Sequence, residues 1–424
     1  NINSKINEEL IYNENKNTKN NLLINDNWGI SQMNLLICGN SILCSVKQVS
    51  GKEILVITNS FFQSPAHRIF ELSINMLTSL ISLAEKGTLP DFLIRIGIRK
   101  LNRKRLSFAQ NTGIEKLEEL HQNWVDELNE SPIALVPEKA NEQHYEVPPE
   151  FFEQVLGKHL KYSSGYWPNG TNSLDASETA MLETTFQRAE LEDGMNILEL
   201  GCGWGSLTCF MAKRLPNAKI TAVSNSNDQR KFIQQRCQQY GLINVNVITA
   251  DMNDFKTDKI FDRVVSVEMF EHMRNYGELL KRISGFLSTD GKVFIHIFSH
   301  NNLTYPYEDR GPGDWMGREF FSGGQMPSHR LLLHFQEHTK IEKMWRVSGT
   351  HYAKTSRAWL NQMDKNQKSI LYIFSETYGQ DKAKLWFQRW RIFFMACEEL
   401  FGMDDGKEWG VSHYLFTKIN TVSS

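Results

Sequence analysis

Glu271 and His272 stand side by side just past the apolar run of DRVVSV (Asp262 to Val267), with a further acid three residues earlier at Glu268. An adjacent carboxylate and imidazole can accept a proton from a nucleophile or, where one stays charged, attract a cationic amine. The same residue types also cap helices and bond backbone amides, so that structural role stays open for Glu271 and His272, and a salt-bridged acid at a helix start stays open for Glu268. Upstream, ILELGCGWGS (Ile197 to Ser206) ends an apolar run in Glu199 and then sets glycine at 201, 203 and 205. Glycine there lets the backbone turn sharply off a strand and lets a ligand lie against the main chain. A helix from Gly205 to about Leu215 would present its free amides to that ligand. Plain tight turns also use such glycines.

The elements needed to position these groups are readable downstream. The glycine turn and its helix are followed by AKITAVSNS (Ala218 to Ser226), a second helix, VNVITADMNDF (Val245 to Phe255) and the strand before Glu268. This βαβαβ alternation of apolar strands predicts an open parallel sheet whose ligand lies at the carboxyl ends of the strands. The turn reads GxGxG rather than GxGxxG, and the second strand ends in Ser224, Asn225 and Ser226 rather than in a ribose-binding acid, which argues against a dinucleotide. Glu199, together with Asp251 after the third strand, suits an α-amino group and an adenine amine with no pyrophosphate. S-adenosyl-L-methionine fits that description. Gln229, at the start of the helix after the second strand, and Asp251 with Met252 are expected on the ribose and adenine side; a helix cap and a turn acid are the alternatives.

The chain resembles the cyclopropane-fatty-acid-synthase-like methyltransferases, and within them the coclaurine N-methyltransferase branch. The likeness is carried by LAEKGTLPDFLIRIGIRKL (Leu83 to Leu101), EQHYEVPPEFFEQVLGKHLKYSSGYW (Glu142 to Trp167), VEMFEHM (Val267 to Met273), GGQMPSHRLLLHFQ (Gly323 to Gln336), WRVSGTHYAKTSRAWL (Trp345 to Leu360) and RWRIFFMACEELFG (Arg389 to Gly402). It covers roughly Pro65 to Ile419. It implies an α/β, Rossmann-like class I methyltransferase fold: a mostly parallel seven-stranded sheet with helices on both faces and a helical cap. It also implies that Tyr162 and Ser163 contact the methionine end of the cofactor, with Asn225 among the binding residues, and that Glu271 and His272 form a catalytic pair, with Glu268 near the cofactor or the substrate ammonium. Tyr166 and Trp167 would add an aromatic wall favouring a sulfonium, or belong to the core.

Cyclopropane synthases carry a cysteine where this chain has Ser164; that cysteine, with a Glu, a His and a Tyr, encloses a bicarbonate used as base. Glu271, His296 and Tyr352 match the other three. A serine hydroxyl can still donate to an anion, so Ser164 weakens that reading without removing it. His296 and Tyr352 would otherwise shape an amine pocket, or His296 would be a satisfied core histidine. The expected activity is methyl transfer to a small amine. The alternatives are methylene or methyl transfer to an unsaturated phospholipid acyl chain, with Arg389, Arg391 and Lys382 meeting lipid phosphates or forming a solvated face, and a non-catalytic cofactor-binding protein.

Composition bounds the rest. The 424 residues, 41% hydrophobic, suffice for one large domain or two, and a net charge of -2 argues against a nucleic-acid partner. Six cysteines without a CxxC pair form neither a disulfide framework nor a zinc site, so no metal is expected. No apolar run approaches the roughly 20 residues that span a bilayer, and a cytoplasmic location is expected. We expect a poorly matched leader over 1–64, disordered over Asn1 to Asn27 and strand-like over Met33 to Phe62; an N-terminal helical cap over 65–165; and a methyltransferase domain over 166–424. That domain would include a loop or lid at Asn301 to Gln325 and a helical insertion at Thr355 to Phe401.

Overall fold

The computed structural model describes residues 42–49, 52–59, 65–135 and 147–419, with side chains from residue 75 onward. The disorder expected of Asn1 to Asn27 lies outside the described residues. Two units divide the chain, Asn1–Leu80 and Ile81–Ser424. In the first, strands β1 (Ile42–Val49) and β2 (Lys52–Asn59) pair antiparallel, from Ile42 opposite Asn59 to Val49 opposite Lys52. Helix α1 (Pro65–Glu85) follows.

The second unit is built on a seven-stranded sheet. Its strands are β3 (Asn196–Leu200), β4 (Lys219–Ser224), β5 (Val245–Thr249), β6 (Phe261–Val267), β7 (Leu287–His300), β10 (Thr339–Val347) and β11 (Trp409–Lys418). They lie in the order β10-β11-β7-β6-β3-β4-β5. The five from β5 to β7 are parallel, and β11 and β10 close the edge antiparallel. Ile197, Leu198, Ala222, Val223, Val264 and Val265 are buried, as expected of parallel strands covered on both faces. Chain order reverses at β3, which sends β4 and β5 one way and β6 the other, and so opens a crevice at the strand ends.

Helices α5 (Leu174–Arg188), α6 (Ser206–Arg214), α7 (Asn227–Gln239) and α8 (Tyr276–Phe286) flank the sheet and start where their sequences say they should. Ser173 accepts from the amide of Ala176 at 3.2 Å, Ser226 from that of Gln229 at 3.3 Å and Asn275 from that of Glu278 at 2.9 Å, each satisfying an otherwise free amide of a first turn.

The cap comes from two parts of the chain. Its early helices are α2 (Asp91–Asn111), α3 (Ile114–Glu130) and α4 (Pro149–Val155); its late ones, α10 (Gly349–Lys365), α11 (Gln367–Tyr378) and α12 (Gln380–Phe401), lie between β10 and β11. The insertion begins at Gly349, ahead of the expected Thr355, because Ser348 caps the helix by accepting from the amide of Thr350 at 3.3 Å. Phe151, Phe152, Trp359, Trp390 and Phe394 form its core, and Trp390 is fully buried. Truncating such a tryptophan to alanine costs ~3–5 kcal/mol. The connection expected as a loop at Asn301 to Gln325 is partly ordered, with β8 (Tyr305–Pro306) paired to β9 (Gln325–Met326) and a short helix, α9 (Trp315–Glu319). Among the described residues no helix is long and apolar enough to cross a membrane, and no cluster of acids, histidines and cysteines could hold a metal.

Candidate active site

After β3 the backbone passes through Gly201, Gly203 and Gly205, all in the left-handed region, at φ 80°, 50° and 76°. A Cβ on Gly201 would lie 2.7 Å from Met269, and one on Gly205 would lie 2.8 Å from Ile233, so these two glycines are packing requirements. A Cβ on Gly203 would meet nothing within 4 Å. It would project into a cavity at the strand ends, walled by Gly201, Gly203, Asn225, Gln229, Asp251, Met252 and His272 together with Ala134, Met269 and Met273.

Two features of this cavity fit the adenosine half of the expected cofactor. Gln229 is buried at 1% exposure; its Oε1 accepts from the Ser224 hydroxyl at 2.6 Å, while its Nε2 has no partner in the protein. A buried amide donor left over at a cavity wall is a costly feature unless a ligand takes it. Asp251 uses one oxygen to accept from the Asn253 amide at 2.7 Å, which fixes the turn after β5 and holds its carboxylate at the wall.

Glu199 stands behind the turn at 2% exposure. It accepts from the Thr208 hydroxyl at 2.5 Å, which ties β3 to α6, and burial pushes its carboxyl up to about 8. Tyr162 and Ser163 do not line the cavity. Tyr162 packs in the cap, 5.0 Å from Phe152, and Ser163 accepts from the buried ammonium of Lys161.

A second, buried polar cluster is centred on Glu268. Its backbone sits at φ 48°, a strained left-handed conformation for a residue with a Cβ, immediately past β6. Its carboxylate accepts from the Tyr352 hydroxyl at 2.6 Å, from the Ser164 amide at 3.2 Å and from His296 Nε2 at 3.2 Å. Desolvation pushes this carboxyl above its ordinary value, opposed by the Lys161 charge, the Tyr352 hydroxyl and the Ser164 amide. Glu271 has no such support. It is 1% exposed, one carboxyl oxygen has no partner, and burial together with the negative charge of Glu268 drives its proton affinity well up. Of the two acids, Glu268 is built to hold the charge and Glu271 the proton. His272 lies elsewhere: it stacks on Phe321, with ring centroids 4.5 Å apart, and forms part of the cavity wall.

Several expectations need correcting. The acid joined to His296 and Tyr352 is Glu268, not Glu271, because the short turn Phe270–His272 carries Glu271 away from them. Ser164 does not offer its hydroxyl to an anion; that group donates to the Gly165 carbonyl at 3.0 Å, and only its amide reaches Glu268. Trp167 is not beside His296 and Tyr352. Its indole donates to the Thr355 hydroxyl at 3.0 Å and its face lines an outer groove with Ala353, Arg357 and Asn361. Arg389 bonds Glu85 and Glu319, and Arg391 bonds Asp91 and Asp364, so both guanidiniums are spent inside the cap.

Three polar residues escaped the sequence reading: the buried Lys161, whose burial pulls its ammonium down to about 8, the buried His413 and the half-buried Arg188. Lys161 immediately precedes a singled-out pair. Nothing local marks His413, which meets His296 only through the pairing of β11 with β7.

Residues 136–408 match the protein family described as mycolic acid cyclopropane synthetase. The (S)-coclaurine N-methyltransferase of Thalictrum flavum subsp. glaucum is 36% identical over 348 residues, 81% of this chain and 96% of its own length. The enzyme of the same name from Papaver somniferum is 36% identical over 343 residues, 80% of this chain and 97% of its own. A crystal structure of coclaurine N-methyltransferase bound to N-methylheliamine and SAH superposes with a TM-score of 0.78 at 34% identity, covering 80% of this chain and 99% of that one.

Proposed function

The chain belongs to the mycolic acid cyclopropane synthetase family and is an S-adenosylmethionine-dependent methyltransferase, and on that premise we propose that its acceptor is a small amine. The observation that carries the proposal is the occupancy of Glu268. The Tyr352 hydroxyl and His296 Nε2, matched at sequence level to groups that enclose a bicarbonate in cyclopropane synthases, here donate to a carboxylate of the protein itself. An anion built into the chain suits a cationic substrate. The N-methyltransferase names of the 36% identical relatives support the same reading.

In the cavity, Gly203 gives the cofactor room, and Gln229 Nε2 and Asp251 hold its nucleoside. Bound there, S-adenosylmethionine supplies a methyl group made electrophilic by its sulfonium. The protein's own contribution is positioning and proton handling. Glu268 draws the substrate ammonium inward. His272, at the cavity wall, accepts the proton that the nitrogen must lose. Glu271, protonated beside Glu268, acts as a hydrogen-bond donor to the substrate rather than as the base. The helices between Asp91 and Val155 and those of the insertion form the cover that keeps water out.

The test is turnover of methyl-labelled S-adenosylmethionine against a panel of primary and secondary aryl-alkyl amines and against liposomes of unsaturated phospholipid, with and without bicarbonate. The expected result is labelled amine, lost in His272→Ala with the amine KM little changed. Label in lipid that requires bicarbonate overturns the proposal.

A further inference from the structure

Behind Glu268 runs a line of hydrogen bonds that ends at a group with only one possible role. The Arg188 guanidinium, in the last turn of α5, meets His413 Nδ1 at 2.8 Å; His413 Nε2 meets His296 Nδ1 at 2.9 Å; and His296 Nε2 meets Glu268 Oε1 at 3.2 Å. A guanidinium donates and never accepts, so His413 Nδ1 is an acceptor. Both imidazoles are fully buried and burial keeps them neutral, so each carries a single ring proton. His413 must then hold its proton on Nε2 and donate it to His296 Nδ1. That in turn leaves the His296 proton on Nε2, facing Glu268.

We propose that Arg188, His413 and His296 are positioning residues for Glu268: a one-way relay in which Arg188 sets the tautomer of both imidazoles, so that His296 always presents a donor to the carboxylate. The proposal rests on the reading of Glu268 as the anion that receives the amine. Without the relay, His296 could equally turn an unprotonated Nε2 toward Glu268 and place a lone pair against a carboxylate. Among the described residues no carboxylate pairs with Arg188, which lies over the Trp345 ring at 5.0 Å, so the arginine is held for a neutral acceptor and not for an ion pair. The register of the sheet builds the line: His413 is the cross-strand partner of His296, and the Glu268 amide donates to the His296 carbonyl at 2.8 Å. The remaining groups around Glu268 are Lys161 and Ser164 before α5, Tyr352 on α10, Cys397 on α12 and Glu271.

Imidazole nitrogen NMR of the full chain labelled at histidine decides the question in the wild type. Two buried neutral rings with the proton on Nε2 support the relay, and a proton on Nδ1 of either ring overturns it. Arg188→Met is expected to mix the tautomers, and Arg188→Lys, which also only donates, to restore them. Unchanged tautomers in a folded Arg188→Met overturn the relay; should that variant fail to fold, the wild-type spectrum still decides. N-methylbenzylamine serves as the amine probe, followed by titration, with binding expected to weaken about tenfold in Arg188→Met and to recover in Arg188→Lys. Mixed tautomers with unweakened amine binding uphold the relay and refute Glu268 as the amine's anchor.

Discussion

Replacing Glu268 by glutamine removes one negative charge and almost no volume, which makes Glu268→Gln the sharpest probe of the buried cluster. The fold should tolerate it. The glutamine oxygen can still accept from His296 and the Ser164 amide, and the Tyr352 hydroxyl, now 2.6 Å from Oε2, can rotate to accept from the new amide nitrogen. Loss of a buried charge relieves its desolvation cost but leaves the buried Lys161 ammonium with less compensation, so stability should fall by about 1–3 kcal/mol while the fold is kept. Substrate binding should not be spared. An ion pair at about 4 Å is worth about 4 kcal/mol at an effective dielectric of 20. Glu268 already shares its charge with Lys161 and three donors, so about half of that, ~2 kcal/mol, is the expected loss, or roughly 30-fold in amine affinity. Cofactor affinity should hold, because Gly203, Gln229 and Asp251 belong to a separate cavity. Steady-state kinetics with an amine at saturating cofactor, beside calorimetric titration with S-adenosylhomocysteine, separates the two. An unchanged amine KM, or a parallel loss of cofactor affinity, would refute the assignment of Glu268.

Three further outcomes are expected. Gly203→Ala carries ~1–2 kcal/mol of left-handed strain and puts a methyl into the cavity, so it should weaken cofactor binding about tenfold or more in calorimetry; Gly201→Ala, whose Cβ would lie 2.7 Å from Met269, should instead lower the thermal midpoint. Lys161, pulled from 10.5 to about 8 chiefly by desolvation, binds its proton less tightly folded than unfolded. Stability is therefore held back below pH 8 and recovers as pH rises toward 10.5, by up to about 3 kcal/mol. After subtracting the lost Ser163 bond and the support given to Glu268, Lys161→Met should be ~1–2 kcal/mol more stable at pH 7 in chemical denaturation, with the advantage shrinking above pH 9. Arg391→Met breaks bridges to two acids whose side chains are 42% and 44% exposed, so it should cost ~1–2 kcal/mol of stability and leave binding to anionic liposomes unchanged in flotation.

Much of the sheet is legible in the chain's apolar runs, because parallel strands covered on both faces must be apolar along their whole length. The cofactor cavity is legible for a related reason: Gly201, Asn225, Gln229 and Asp251 all lie just past the ends of strands or at the start of the next helix, where chain order alone puts them together. The buried cluster was legible only in part: resemblance grouped Ser164, His296 and Tyr352, but around the wrong acid and without Lys161, Arg188 or His413. His413 follows His296 by more than a hundred positions across the helical insertion, and only the antiparallel register of β11 on β7 brings them side by side. Glu271 was grouped with His296 and Tyr352 by resemblance, and residue type could not tell it from Glu268, which stands in the left-handed region just past β6 and is the acid that meets them. Trp167 and Ser164 misled because residue type says nothing of which neighbour competes for a donor, and Thr355 and the Gly165 carbonyl take theirs.

The late cap helices leave the sheet at Val347 and return at Trp409, on neighbouring strands whose pairing sets Val347 opposite Val411. An excursion that departs and rejoins at adjacent points makes little demand on the scaffold: the strands need only a closed loop of whatever length, and closure entropy grows slowly with that length. Such a segment can be lengthened or trimmed without moving the two strand ends that it joins. Tyr352, however, rides on the first helix of the excursion. A change in this module therefore also alters one of the hydrogen bonds that steady the charge at Glu268.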